Sequence, residues 1–357
     1  MAHAAAPNIL VIRRRYLGDV VLLAPVFRNL RRHWPAARIT ALVEPAFAGV
    51  LALNPDVDAT LLLPAKRAGV APWFRFLRAL RSGGFTHVLD LDNAPKTALF
   101  TRLTGAPCRV ALLHEMPPRY PRFYTHLAID PPEEHERASI VRYYLRALAP
   151  LGVPVVTDDV RLTPRAADLA AARALLESKI QNPKSKILLI HPGSRSPFRL
   201  WPAERFGEIY RRVAAELDTS VLLIGGPAEA AFLPAIRTHA GESLAVIDQP
   251  LPVPQFAALA AQCATLLCHD SGPMHLAAAV GTPVVALFGS QNVALWRPHG
   301  ERHRVLQAPA PCGAACVAPA ECTPGDSYRS YCVRRLSVDE VFAAVRAQLA
   351  ATPPPRP

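Results

Sequence analysis

Apolar residues in this chain fall in short unbroken runs, and each run is followed by a stretch in which they recur every three or four positions. The runs in the first half are NILVIR (8–13), RITALVE (38–44), ATLLL (59–63) and HVLDLD (87–92). Those in the second are KILLIH (186–191), TSVLLIGG (219–226), SLAVID (243–248), TLLCHD (265–270) and TPVVALFG (282–289). Runs without polar alternation predict strands covered on both faces, as in parallel sheets. The periodic stretches between them predict helices, among them 20–34 and 131–152, the latter closing at Gly152. A basic, proline-containing break, KIQNPKSK (179–186), separates the two sets. The pattern therefore predicts an α/β protein of two Rossmann-like, doubly wound domains facing a cleft. The expected spans are 1–165 and 166–350, with a disordered tail, ATPPPRP, over 351–357.

Composition narrows this picture. The 357 residues are 51% hydrophobic and 19% charged, which is globular. No apolar run reaches the roughly 18–20 residues of a membrane-spanning helix. The first cationic cluster follows the first apolar run, the reverse of a secretory signal, so a cytoplasmic protein is expected. Forty basic residues against 28 acidic ones give a net charge of +12, and only five of the forty are lysine. Such an arginine excess suits phosphate or carboxylate partners, because the planar guanidinium bonds them bidentately. No nucleic-acid recognition motif accompanies it, so nucleic acid is not an expected partner. Anionic lipid, a nucleotide-sugar or plain surface decoration all remain compatible.

Of seven cysteines, Cys108, Cys263 and Cys268 lie in or beside apolar runs, as reduced core residues do. Cys312, Cys316, Cys322 and Cys332 form a C-x3-C-x5-C-x9-C cluster, which is not the paired C-x2-C spacing of structural zinc sites. No metal, a structural zinc and a disulfide stay open as readings.

Three junctions between a strand and a helix carry candidate chemistry. After the first strand, Gly18 suits a tight turn and Asp19 suits either a helix N-cap or a general base. After KILLIH come His191, expected to be packed and hydrogen-bonded, then Ser194, Arg199, Trp201 to staple the helix start and Pro202 in its first turn. A hydroxyl and a fixed cation there can hold a diphosphate whose leaving oxygen gains charge. The third is CHDSGPMHLAAAVGTP (268–283), where Gly272 permits close backbone approach and Pro273 suits the first helical position. His269, Asp270, Ser271 and His275 crowd one helix start, where unpaired N–H groups form a cup for phosphate. The loop FGSQNVALWRPHG (288–300) is expected to border the same place. No G-x-G-x-x-G follows any strand, which argues against a nicotinamide oxidoreductase.

Taken in order, R-x-L-G-D-V-V-L, HPGS…R-x-W-P, LIGGPAE (223–229), D-S-G-P-M-H and FGS…WRPHG resemble the family-9 glycosyltransferases, the bacterial heptosyltransferases of lipopolysaccharide core assembly. The resemblance spans about residues 8–345. It implies a GT-B fold with the acceptor on the N-terminal domain and ADP-heptose on the C-terminal one. The implied reaction is inverting glycosyl transfer without metal or cofactor. By motif, Asp19 corresponds to the base and Arg199 to a catalytic cation, where the family commonly has lysine. Ser194, Glu229, Asp270, Ser271, Gly272, Met274 and His275 correspond to the donor-binding set. Arg13, Arg15 and Gly18 fall on the acceptor side, and Arg14, Arg119 and Arg122 are further candidates for acceptor phosphates or a membrane face. The implied partners are ADP-heptose, an anionic amphiphilic glycolipid and peripheral contact with the inner membrane. Transfer of another nucleotide-linked sugar, or nucleotide-sugar binding without transfer, are the alternative readings.

Overall fold

The structure, a computed structural model, describes residues 6–113, 120–129, 131, 134, 137–180, 186–196, 199–241, 244–309 and 332–353. Cys312, Cys316, Cys322 and Arg119 lie outside the described residues; Cys332 is a half-buried free thiol.

The chain divides into two compact units, 1–163 and 164–357. The first holds strands β1 (Asn8–Ile12), β2 (Arg38–Val43), β3 (Ala59–Leu62), β4 (His87–Asp90), β5 (Cys108–Leu113) and β6 (His126–Ile129) in the order β3-β2-β1-β4-β5-β6. The second holds β7 (Ile187–His191), β8 (Ser220–Ile224), β9 (Val246–Ile247), β10 (Thr265–His269), β11 (Val284–Phe288) and β12 (Arg304–Gln307) in the order β9-β8-β7-β10-β11-β12. Every adjacent pair is parallel. Both units thus share the doubly wound 3-2-1-4-5-6 plan. In each, the chain winds outward in one direction from the first strand and in the other from the fourth. The gap beyond the carboxyl ends of those two strands is where such sheets take ligands.

The central strands β1, β7, β10 and β11 are buried almost throughout, matching their unbroken apolar runs. β5, β6 and β12 are strands that the runs did not predict. β6 and β12 are sheet edges with half-exposed side chains, so they lack a continuous run.

Two predicted helices differ in extent. Residues 20–34 fall in Leu17–Leu22 and Ala24–His33, interrupted at Leu23. Pro25 has no N–H to give and its ring crowds the carbonyl four residues back, which breaks the ladder there. Among the described residues of 131–152 the α-helix is only Ile140–Leu145, capped by the Ser139 hydroxyl. A 3-10 segment containing Pro150 follows, and Gly152 ends it at φ +67°, a left-handed position suited to glycine. At the C-terminus the helix Val338–Ala351 includes the first residue of the expected tail. Thr352 is buried there, its hydroxyl bonded to the Gln348 carbonyl; residues 354–357 lie outside the described set.

In the second unit, helix Ala203–Glu216 buries Phe206, Ile209, Tyr210 and Val213 against the sheet and packs on helix Leu233–Ala240. Gly207 sets that approach, since a Cβ there would stand 2.4 Å from the Ile236 carbonyl oxygen and 2.8 Å from His239 Cβ. An alanine gains about 1 kcal/mol of helix propensity, but overpacking against backbone costs about 1–3 kcal/mol. Gly207→Ala is expected to lower the thermal midpoint by about 2–8 °C, measured by circular dichroism; an unchanged or higher midpoint would remove the steric role.

Candidate active site

In the first unit β1 ends at Ile12 beside Asp90 of β4, and both following loops carry charge. Asp19 lies in the first turn of helix Leu17–Leu22, at its third position, where a carboxylate complements the helix dipole. The N-cap is Tyr16, not Asp19; Asp19 Oδ2 accepts the Tyr16 backbone N–H at 3.1 Å. Gly18 is buried and helical, so it makes no turn. Asp19 Oδ1 accepts Arg13 Nη2 at 2.5 Å and the Tyr144 hydroxyl at 2.5 Å. Burial first, and then Asp19, push the Tyr144 phenol far above its ordinary range, so it stays a donor.

Arg13 also donates to the Leu91 carbonyl at 3.0 Å and stands 3.3 Å from Asp92 Oδ1, while Arg14 Nε meets Asp92 Oδ2 at 2.5 Å. The Arg13 guanidinium therefore holds Asp19 and Asp92 in position. Arg15 is half-exposed, 3.3 Å from Glu44. Arg122 is exposed on a short 3-10 turn. Asp90, Asp92 and Tyr144 were not anticipated from sequence. The LDLD of the fourth run was the available sign for the two carboxylates. Asp90, fully buried, accepts the N–H groups of Asp92 and Asn93 and the Tyr124 hydroxyl, and burial pushes its carboxyl up to about 6.

In the second unit His191 of β7 lies opposite Cys268 of β10, which brings the loops after these two strands together. Asp270 follows β10, and Arg199, from the loop after β7, places Nη1 2.9 Å from Asp270 Oδ2. This contact is an ion pair without hydrogen-bond alignment. Among the described residues, Asp270 Oδ2 and Arg199 Nε are both buried without a hydrogen-bond partner, as is Ser290 Oγ after β11. Burial pushes the Asp270 carboxyl up to about 6, with Arg199 acting against it. Buried polar atoms are rarely left unpaired, and here they cluster at loops that open on a helix start.

That helix is Gly272–Ala279, with Ser271 as N-cap and its hydroxyl turned to the His269 carbonyl. Pro273 sits at the second helical position, one later than expected. The N–H groups of Gly272 and Met274 are in the first turn, where no intrahelical acceptor exists. The Met274 side chain is fully buried in the core, so only its backbone can meet a ligand. His275 is buried one residue on. Ser194 is half-buried in the loop after β7. Glu229 follows β8, and its carboxylate lies over Gly193, where a Cβ would be 2.2 Å from Oε1. Burial raises its pKa.

Of the two histidines at these strand ends, His269 is a strut. His269 accepts the Trp201 backbone N–H on Nε2 at 2.8 Å, so its proton is on Nδ1, 3.4 Å from the Gly193 carbonyl. Burial holds its pKa down at about 3, and that of His191 at about 4. His269 therefore faces inward, away from the cup. Trp201 is buried against Phe206 and donates its indole N–H to Leu336. Pro202 caps the helix that follows, which starts at Ala203. Among the described residues no group of three or more His, Cys, Asp or Glu could hold a metal.

Two parallel sheets of this order, each with an arginine–carboxylate pair at its switch point, define the class of doubly wound α/β proteins that take ligands at the carboxyl ends of their strands. A family model, Glycosyltransferase family 9 (heptosyltransferase), matches residues 73–323. The chain belongs to that family and is a glycosyltransferase. It is 25% identical over 301 residues to lipopolysaccharide heptosyltransferase 3 of Escherichia coli, covering 80% of this chain and 84% of that one. In fold it is similar to a family-9 glycosyltransferase from Veillonella parvula, with a TM-score of 0.83, 21% identity, and 98% and 99% of the two chains covered. It is also similar to the E. coli ADP-heptose lipopolysaccharide heptosyltransferase II, with a TM-score of 0.74, 19% identity, and 96% and 99% covered. These neighbours share the two-domain GT-B architecture.

The buried groups predict the pH dependence of stability. His191, His269 and His303 are held by burial at about 4, 3 and 4, against 6.5 ordinarily. The unfolded chain binds their protons below about 6.5 and the folded chain refuses them, so stability falls as pH drops. Asp90 and Asp270, raised from 3.8 to about 6, act oppositely between those values. Three larger displacements outweigh two smaller ones. The thermal midpoint is expected to fall steadily from pH 6.5 to 4.5 by calorimetry; a flat or rising profile would contradict this.

Proposed function

We propose that this chain moves a heptose from ADP-heptose to a lipopolysaccharide core or related glycan acceptor, with inversion and without a metal. One observation carries the reading: the Arg199–Asp270 pair, with buried atoms lacking partners, set at the start of helix Gly272–Ala279. The ligand this suits has a diphosphate for Arg199, Ser271 and the helix N–H groups, and a hydroxylated sugar for the Asp270 oxygen. Ser194 lies on the loop that also carries Arg199, suited to a phosphate oxygen. Glu229 follows β8, suited to a ribose hydroxyl. The names of the relatives, lipopolysaccharide heptosyltransferases and an ADP-heptose enzyme, support the same donor and acceptor.

Asp19 is the proposed base. Arg13, Tyr144 and the Tyr16 N–H hold it in one orientation, and Oδ2, with a single described donor, keeps a lone pair for a substrate hydroxyl. The acceptor oxygen passes its proton to Oδ2 as it bonds to the anomeric carbon. The bond from that carbon to the diphosphate oxygen breaks on the opposite face, and ADP leaves with the electron pair. Charge growing on ADP is met by Arg199 and the helix dipole, taking the part a metal plays elsewhere. Asp19 then returns its proton to water.

Transfer is assayed with ADP-heptose, a panel of other nucleotide-sugars and a core acceptor, in the presence of EDTA. Asp19→Asn is expected to lower kcat by about 10²–10⁴-fold and leave ADP affinity within about threefold; full activity removes Asp19 from the role. Arg199→Ala is expected to lower kcat by about 10²–10³-fold and also weaken ADP binding, with partial recovery in Arg199→Lys. Unchanged ADP binding in Arg199→Ala would place the diphosphate elsewhere.

A further inference from the structure

Six of the ten large hydrophobic residues that the described structure exposes fall between 62 and 103: Leu62, Val70, Phe74, Leu77, Leu99 and Leu103. Three of these share one side of helix Val70–Ser82. That helix buries Phe76 and Leu80 and leaves Val70 86%, Phe74 65% and Leu77 38% exposed. Spacings of four and three residues align them in a stripe about a quarter turn round from the core-facing side, with Arg81 in line with it. Arg75 and Arg78 are exposed beside it, Arg81 at its end, and Lys66 and Arg67 just before it. From Ala59 to Leu89 the chain has these five cations and no acidic residue. The neighbouring helix Pro95–Leu103, packed on the first through Phe76 and Phe100, exposes Leu99 and Leu103 as well.

The start of this surface lies beside the acceptor side of the site. Lys96 Nζ stands 4.3 Å over the Trp73 ring. Burial first, and then the repulsion of Arg14, Arg15 and Lys66 against the pull of Glu44, hold that ammonium below its usual value.

We propose that helix Val70–Ser82 docks on an anionic lipid surface, with Phe74 and Leu77 entering the headgroup layer and the arginines on lipid phosphates. A helix with an apolar stripe, arginines alongside and no acid is suited to lying in a membrane interface. Anionic lipid complements the five cations, whereas a neutral bilayer or an apolar partner leaves them unmatched. No described helix is long and apolar enough to cross a membrane, so this contact is peripheral. The inference rests on the proposed glycolipid acceptor for its purpose, because docking there would bring an acceptor anchored in lipid to Asp19.

The test is co-sedimentation of the full chain with vesicles of phosphatidylcholine alone or mixed with phosphatidylglycerol. Neither donor nor acceptor is present, so the outcome is independent of whether the transfer reading holds. Binding is expected to the anionic vesicles and not the neutral ones, and to weaken with salt. Phe74→Glu and Leu77→Glu are each expected to weaken vesicle affinity at least about tenfold, and Phe74→Glu to leave thermal unfolding unchanged, since Phe74 is mostly exposed. The double change Arg75→Glu, Arg78→Glu should abolish the preference for anionic lipid. No binding by the wild type, or equal binding by the variants, overturns the proposal. So does self-association in sedimentation velocity that Phe74→Glu abolishes without any vesicle binding, which would assign the stripe to a second copy.

Discussion

A guanidinium held against a buried carboxylate at the carboxyl ends of the first and fourth strands is the interaction on which both units depend. In the first unit the loop after β1 supplies Arg13 and Arg14, and the loop after β4 supplies Asp92. In the second, the loop after β7 supplies Arg199 and the loop after β10 supplies Asp270. Each pair spans the place where the winding direction reverses, so that no covering helix fills it. Taking one partner from such a buried pair typically costs about 3–5 kcal/mol, because the other is left charged and unmatched. The same pairs therefore fix the loops and place charge where sheets of this plan take ligands.

The two sites differ in how completely their atoms are used. Around Asp19 the donors are plentiful: Arg13, the Tyr144 hydroxyl and the Tyr16 N–H leave one acceptor position open. Around Asp270 the network among the described residues is incomplete, with Oδ2, Arg199 Nε and Ser290 Oγ all buried without aligned partners. The first arrangement suits a group that must keep one orientation while taking a proton. The second suits a cup whose missing partners arrive with a ligand, since unpaired buried polar atoms each cost about 1–3 kcal/mol until then. Beneath the cup, His269 links Trp201 to the Gly193 loop as a neutral ring, which keeps those loops in place without adding a charge.

Much of this was legible in sequence where a local rule applied. The unbroken runs gave the central strands, and polar residues abruptly ending TLLCH marked 270–275 as a helix start. Strands β6 and β12 lay outside that rule because their faces are only partly covered and carry polar residues such as His126, Arg304 and Gln307. The distant members of the first site, Tyr144 on Asp19 and Asp92 on Arg14, were invisible for another reason. Tyr144 is 125 residues away, and the Asp92 that meets Arg14 is 78 away, so no periodicity or spacing joins them.

The order of apolar and polar residues by itself determined two parallel, doubly wound sheets and which loops lie at their carboxyl ends. That follows because burial on both faces demands an unbroken run, and each run must end in a loop. Only the tertiary structure decided what the side chains in those loops do. Arg13 turns to Asp19 and Asp92, Met274 turns into the core and His269 becomes a strut, because the strand order sets which loops meet. A side chain's direction depends on the neighbours that this order supplies, and those neighbours come from distant parts of the chain.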